Sequence, residues 1–264
     1  MSSARREPIY TTAIGAGRAL FGGVLRINRI VSGEQHLPSR GGAVLAITHF
    51  GYLDFALTEW MVWHHNRRRI RFMAMKGAFD KPVVGWLLRG MRHISVDMSA
   101  GRAAYSEAVS ALSRGELLGV FPEAGVSASF TVRELKSGAA RMAQEAGVPL
   151  IPIVVWGGHL LRTKGVKARW SEMRRATVMF DVGEPIHVSP ESDAGAVTER
   201  LRQRLQESLD RVQRDYPLDG TGKWWQPAHR GGTAPTPEEA ARTEAARQAR
   251  KAAARNNQKD STSR

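Results

Sequence analysis

Between residues 41 and about 215, short apolar runs alternate with stretches in which apolar positions recur every three or four residues. The runs are Gly42–Thr48, Ile70–Met75, His93–Val96, Leu117–Phe121, Leu150–Trp156 and Thr177–Val182. They have strand length, and most lack the polar alternation of a half-exposed strand, so they read as strands buried on both faces. The intervening stretches, at about 53–66, 78–90, 100–114, 133–146 and 195–214, read as helices. Alternation at this pitch predicts an α/β fold: a single domain with a central mixed, largely parallel sheet flanked by helices. In such sheets ligands bind beyond the carboxyl ends of the strands.

The two ends of the chain read differently. Ile9, Ala13, Ala16, Leu20, Val24 and Ile27 form a helical stripe interrupted by Arg18, Arg26 and Arg29. No stretch reaches the about 18 uncharged residues that a spanning helix needs. Residues 1–35 are therefore expected to be an amphipathic segment that lies on a membrane, with packing on the domain as the other reading. Residues 36–216 form the predicted domain. Residues 217–264 make a basic tail: Lys223-Trp224-Trp225 offers a last apolar contact, and Pro235 onward has no large apolar residue. Such a composition cannot bury a core, so the tail reads as disordered or as a solvated helix.

Charge narrows the partners. The chain carries 39 Lys and Arg against 25 Asp and Glu, a formal net charge of +14. Acidic partners follow, and an anionic membrane surface is the first candidate. The densest knot is Arg67-Arg68-Arg69-Ile70-Arg71, and Arg162, Lys164, Lys167 and Arg169 form a second. No zinc-finger spacing or aromatic-basic RNA signature accompanies them, which argues against nucleic acid. The chain has no cysteine, which excludes disulfides, thiolate catalysis and cysteine-based zinc sites. The remaining histidines lack metal-ligand spacing, so no metal is expected.

The chemistry centres on Thr48-His49-Phe50-Gly51-Tyr52-Leu53-Asp54. The buried run Ala43–Ile47 delivers His49 to a strand end. There an imidazole can take a proton from a hydroxyl, and a carboxylate on its other nitrogen fixes the tautomer and stabilises the imidazolium. Phe121-Pro122-Glu123 ends a second strand, with Glu123 expected exposed at its tip. Gly125-Val126-Ser127-Ala128-Ser129 approaches a nucleophile elbow but lacks the last glycine and a following helix. The nucleophile is then the substrate's own hydroxyl.

Four blocks occur in order: His49 to Asp54, Ile94-Ser95-Val96-Asp97, Phe121-Pro122-Glu123 and Pro149-Leu150-Ile151-Pro152-Ile153. Between them stand Lys76-Gly77-Ala78-Phe79 with Pro82 and Gly85, and Leu135-Lys136-Ser137-Gly138-Ala139-Ala140. Over roughly residues 35–190 the chain resembles the PlsC-type glycerolipid acyltransferases, the 1-acylglycerol-3-phosphate acyltransferase family. The resemblance implies that His49 and Asp54 are catalytic, and that Glu123, Pro122, Lys76, Asp97 and Pro152 contact substrate. It implies an acyl thioester donor, acyl-CoA or acyl-ACP, with no other cofactor, and a lysolipid acceptor. It also implies a peripheral place on the cytoplasmic face of the cell membrane.

The chain departs from that family at Met98 and Val126, where arginines commonly stand. Another cation, such as Lys76, Arg102 or Arg133, is then expected to hold an acceptor phosphate, or the acceptor is another lysolipid or glycolipid. A thioesterase and a non-catalytic basic membrane protein of the same fold are the alternatives from other classes.

Overall fold

In the computed structural model, residues 7–97, 100–167 and 169–262 are described. The strands are β1 (Asn28–Ser32), β2 (Ala43–Ile47), β3 (Ile70–Met75), β4 (Ile94–Val96), β5 (Leu117–Val120), β6 (Leu150–Trp156) and β7 (Thr177–Val182). They form one seven-stranded sheet in the order β1-β7-β6-β2-β5-β3-β4. Strands β2 to β6 are mutually parallel, β7 runs antiparallel to β6, and β1 is parallel to β7. This is the mixed, largely parallel sheet the sequence predicts. We call the end at which β2 to β6 finish the rim, and the opposite end the base.

The helices are α1 (Pro8–Arg18), α2 (Asp54–Asn66), α3 (Lys76–Phe79), α4 (Pro82–Gly90), α5 (Gly101–Ser113), α6 (Gly138–Ala146), α7 (Gly158–Leu161), α8 (Trp170–Met173), α9 (Ala194–Asp215) and α10 (Pro237–Thr262). Helices α5, α6 and α9 cover one face of the sheet. Helix α2 and the chain from Phe21 to Ile27 cover the other. Helix α9 shows why the sequence folds this way. Asp193 Oδ1 accepts from the Ala196 amide (2.7 Å) and caps it, and Leu201, Leu205, Leu209 and Val212 face the core. Each such side chain contributes about 1.5–3 kcal/mol on burial.

The amino-terminal stripe is not the face that packs. Tyr10, Ile14, Phe21 and Leu25 are buried, whereas Leu20 and Val24 are 43% and 53% exposed. The packed face is rotated by one residue because Tyr10 and Phe21 bring far more apolar area than Ala13 and Ala16. A π-helical turn at Ala19–Val24 then redirects the chain. Residues 28–32, assigned to the amphipathic segment by the sequence, are strand β1 and belong to the domain. Helix α1 is tied to the base. Arg71, itself buried, donates to both oxygens of Glu7 (2.9 and 2.5 Å) and to Glu116 (2.5 Å). Tyr10 Oη donates to the Ile70 carbonyl (2.5 Å) and lies 2.8 Å from Glu59.

The arginine knot is therefore largely structural. Arg68 caps three base carbonyls, those of Pro38, Gly41 and Gly115, at 2.9, 2.7 and 2.6 Å. Its placement before β3 puts it at the end of the sheet away from His49.

The tail boundary at residue 216 also moves. Trp225 and Ala234 are buried in the core cluster that contains Trp156, and Trp224 packs against it. Residues 217–234 thus close the α9 side of the domain. Beyond them α10 starts with a reciprocal cap: Glu239 N–H donates to Thr236 Oγ1 (3.3 Å) and Thr236 N–H donates to Glu239 Oε2 (2.9 Å). That Thr-x-x-Glu spacing is legible in the sequence and marks a helix start. Glu244 of α10 pairs with Lys164.

Candidate active site

Strand β2 is buried along its whole length, and Thr48 continues it by accepting the Val155 amide on Oγ1 (3.1 Å). The next residue, His49, emerges at the rim. Its Nδ1 lies 3.3 Å from Asp54 Oδ2, and its ring is 17% exposed. Asp54 opens α2 and is fully buried. The same Oδ2 accepts the amides of Phe50 (2.8 Å) and Gly51 (2.7 Å), so the His-x₄-Asp spacing is closed by the backbone of its own turn. Burial pushes the Asp54 carboxyl up from its ordinary range, and the hydrogen bonds from His49, Gly51 and Phe50 oppose that shift. The positive end of α2 also favours a carboxylate here.

Two glycines permit the turn. A Cβ on Gly158 would lie 2.6 Å from Asp54 Oδ1, and one on Gly51 would lie 2.9 Å from the Gly158 carbonyl. Both positions need the bare backbone for α7 to approach the pair. With Nδ1 engaged by Asp54, Nε2 is left for an incoming group, and it makes no hydrogen bond within the described residues. Phe121 stacks on the imidazole, ring centroids 4.2 Å apart.

Glu123 is buried, not exposed at the strand tip. Its Oε1 accepts the His49 amide (3.1 Å) and its Oε2 accepts the Arg133 amide (3.1 Å). The cause lies in the turn: Phe121 O accepts the Ala124 amide (3.2 Å), and Ala124 adopts a left-handed φ of 55°. This folds Glu123 inward. Burial pushes its carboxyl up to about 7. The His49 carbonyl accepts the Ser127 amide (2.8 Å), so one loop holds both backbone polar groups of His49. Ser127 itself is buried, with its hydroxyl donating to the Thr131 carbonyl (2.8 Å), as befits a structural serine.

The other predicted contacts divide. Lys76 and Asp97, at the ends of β3 and β4, form a 2.9 Å ion pair, which raises the Lys76 amine. Both stand on the rim, but β3 is two strands from β2, about 10 Å away. Pro122 is buried and its carbonyl accepts the Lys136 amide (2.9 Å). Pro152 is misplaced by the sequence reading. It lies inside β6, paired with Ala46, and so three residues, about 10 Å, below the level of His49. Its carbonyl accepts the Gly183 amide (2.9 Å), and its role is in sheet packing. Met98 falls outside the described residues. Val126 is half-buried in the loop after Glu123.

Sequence reasoning gave Phe121 no role of its own and named Arg133 only as one of three cations. Arg133 is exposed, has no carboxylate partner among the described residues, and extends over Gly125, where a Cβ would meet its Nη1 at 3.3 Å. Among the described residues no group of three or more His, Asp or Glu is placed to hold a metal ion.

Beside the pair lies an apolar cavity of about 230 Å³ between α1, α2 and β3. Leu53 and Phe55, which flank Asp54 in the chain, form its near wall, and Tyr10 and His93 lie at the base end. Phe72 on its wall stacks with Phe121 (6.1 Å), which connects the cavity to the imidazole.

Comparison with known proteins places this arrangement. Residues 28–156 match the protein family described as Acyltransferase. The chain is 28% identical over 196 residues to the 1-acyl-sn-glycerol-3-phosphate acyltransferase of Bacillus subtilis, covering 72% of this chain and 89% of that protein. It is 23% identical to the chloroplastic enzyme of that name, LPAT1, of Arabidopsis thaliana, covering 68% of this chain and about half (49%) of that protein. The crystal structure of the 1-acyl-sn-glycerophosphate acyltransferase PlsC from Thermotoga maritima superposes with a TM-score of 0.64 at 20% identity, covering 79% of this chain and 81% of that one. Residues 28–156 thus carry the match to the Acyltransferase family, and the chain as a whole is similar in sequence and fold to PlsC-type glycerolipid acyltransferases.

Proposed function

We propose that the protein transfers a fatty acyl group from an acyl thioester, on coenzyme A or acyl carrier protein, to a hydroxyl of a lysophospholipid such as 1-acylglycerol 3-phosphate. The observation that carries this reading is His49 held through Nδ1 by a buried carboxylate, with Nε2 left for a substrate and an apolar cavity alongside. Nε2 takes the proton of the acceptor hydroxyl as its oxygen attacks the thioester carbonyl. The tetrahedral intermediate then expels the thiolate, which recovers the proton from the imidazolium. Asp54 stabilises that imidazolium, and no covalent acyl-enzyme forms.

The cavity suits the acyl chain. Helix α1 and the π-helical turn after it roof it from Tyr10 to Leu20, about 15 Å by helical rise. Arg133 takes the acceptor phosphate in this reading, in place of the family's arginine; its exposed guanidinium over Gly125, in the loop that holds His49, supports that role. The reaction is assigned to a membrane surface. Among the described residues no helix is long and apolar enough to cross a membrane.

Purified protein with labelled oleoyl- and palmitoyl-CoA against a lysolipid panel, read by mass spectrometry, tests the proposal. Acylated product that requires both acceptor and His49 is expected. Thioester cleavage indifferent to every acceptor would make the protein a thioesterase.

A further inference from the structure

The apolar cavity between α1, α2 and β3 has a polar end. Glu59 lines it from α2, five residues after Asp54 and so about 7.5 Å further toward the base. Its Oε2 accepts the amide of Ile70, the first residue of β3 (2.9 Å), and lies 2.8 Å from Tyr10 Oη. Its Oε1 is buried and meets no hydrogen-bond partner among the described residues. Trp60 and His93 line the same cavity. Trp60 Nε1 is a second buried atom without a partner there, and it is a donor.

Burial pushes the Glu59 carboxyl up to about 8, so at neutral pH it holds its proton. A tyrosine hydroxyl has one hydrogen to give. The 2.5 Å contact assigns that of Tyr10 to the Ile70 carbonyl, so the carboxyl proton sits on Oε2 and donates to Tyr10 Oη. Oε1 is then the carbonyl oxygen, an acceptor with nothing to accept. His93 Nδ1 accepts the Phe72 amide (3.1 Å), and burial pushes the imidazole down to about 4, so the neutral ring carries its hydrogen on Nε2. The brace between α1 and β3 thus uses one oxygen of Glu59 and leaves the other over.

We propose that this cavity selects an acyl chain bearing a hydroxyl group on its distal part, with the hydroxyl donating to Glu59 Oε1 and its own oxygen open to an N–H of Trp60 or His93. The inference rests on the reading that the cavity holds the acyl chain of the thioester, whose carbonyl lies at His49 and whose far part reaches Glu59. The other walls, among them Leu53, Phe55 and Phe72, suit hydrocarbon. An unsubstituted chain would leave Oε1 and Trp60 Nε1 buried and unpaired, the condition that a polar group tolerates least. A ketone at the same carbon has no hydrogen to give to Oε1.

Competition among acyl-CoA thioesters of one chain length tests it, with the full chain, a lysolipid acceptor and products read by mass spectrometry. The set holds the unsubstituted chain, chains with one hydroxyl at successive distal carbons, and the ketone of each. One hydroxyl position should be favoured over the unsubstituted chain about ten-fold or more in kcat/KM, as for one hydrogen bond to a group otherwise left unpaired. Its ketone should show no such gain. Glu59→Gln must keep its carbonyl on the Ile70 amide, which turns an N–H to the place of Oε1, so the ketone should then outrank the hydroxyl chain. No hydroxyl position favoured over the unsubstituted chain, ketones taken as well as hydroxyl chains, or a Glu59→Gln ranking identical to wild type would each overturn the proposal. The wild-type ranking needs no variant and decides alone if Glu59→Gln does not fold. If no thioester is turned over, the functional reading fails, and calorimetric titration with free hydroxylated and unsubstituted fatty acids of equal length decides the cavity. The hydroxylated acid should bind about ten-fold tighter, and equal affinities would overturn the proposal.

Discussion

Glu123 grips the backbone of His49 and not its ring: Oε1 accepts the His49 amide at 3.1 Å while Oε2 accepts that of Arg133. A carboxylate that looks like a substrate contact in the sequence thus works as a brace between two rim loops.

Replacing Glu123 with alanine leaves two amides without acceptors and should cost about 2–4 kcal/mol in urea denaturation. Glu123→Gln keeps one carbonyl acceptor and should cost less. The pH dependence follows from burial, which holds the native carboxyl at about 7 against an ordinary 4.5. The native state therefore holds the proton more tightly than the unfolded chain. The stabilisation is complete below 4.5 and is lost as pH rises through 7. Wild-type stability should fall relative to Glu123→Gln across that window; parallel profiles would contradict the assignment.

His49→Ala should lower turnover by about 10²-fold or more with the fold retained, as expected for a removed general base. Asp54→Asn should also lose activity on the order of 10²-fold or more, because the amide no longer stabilises the imidazolium. It should additionally lower the melting temperature, since Oδ2 anchors the amides of Phe50 and Gly51. A His49→Ala protein retaining more than about a third of wild-type turnover would remove the mechanism.

Arg133→Ala should raise the Michaelis constant for lysophosphatidate about ten-fold, the worth of one charge-assisted hydrogen bond. It should leave lysolipids without a phosphomonoester unchanged. Val126→Arg, restoring the family's cation in the adjoining loop, should shift preference toward phosphomonoester acceptors. Equal losses on all acceptors would show that Arg133 supports the loop and does not bind phosphate.

Gly17 lines the cavity beneath α1, and a Cβ there meets nothing closer than Phe21 at 3.9 Å. Gly17→Leu should fold, because leucine is the better helix former by several tenths of a kcal/mol. Its side chain should fill part of the cavity and shift donor preference toward shorter acyl chains. An unchanged profile across thioesters of graded length would place the acyl chain elsewhere.

The strands from β2 to β7 were legible because each is a short apolar run with a boundary written in glycine, proline or charge. The His49–Asp54 pair was legible because four intervening residues form a single turn, and the turn's own amides close on Asp54. These features depend on neighbours in the chain. Strand β1 was hidden because only its pairing with β7 distinguishes it from the amphipathic stretch before it. The stripe over residues 8–27 was displaced by one position because spacing weights alanine and tyrosine alike, and packing does not.

Pro152 read as a site residue because its block matches the family, yet its depth below the rim is set by the register of β6 against β2. Glu123 points inward because of a turn that brings it to an amide 74 residues away in sequence. Arg68 and Arg71 looked like free charge for a membrane until the base loops and α1 were folded onto them. Local pattern alone thus determined the alternation of elements and the pairing of His49 with Asp54. Tertiary contact decided which charges are spent inside the protein and which apolar side chains remain outside.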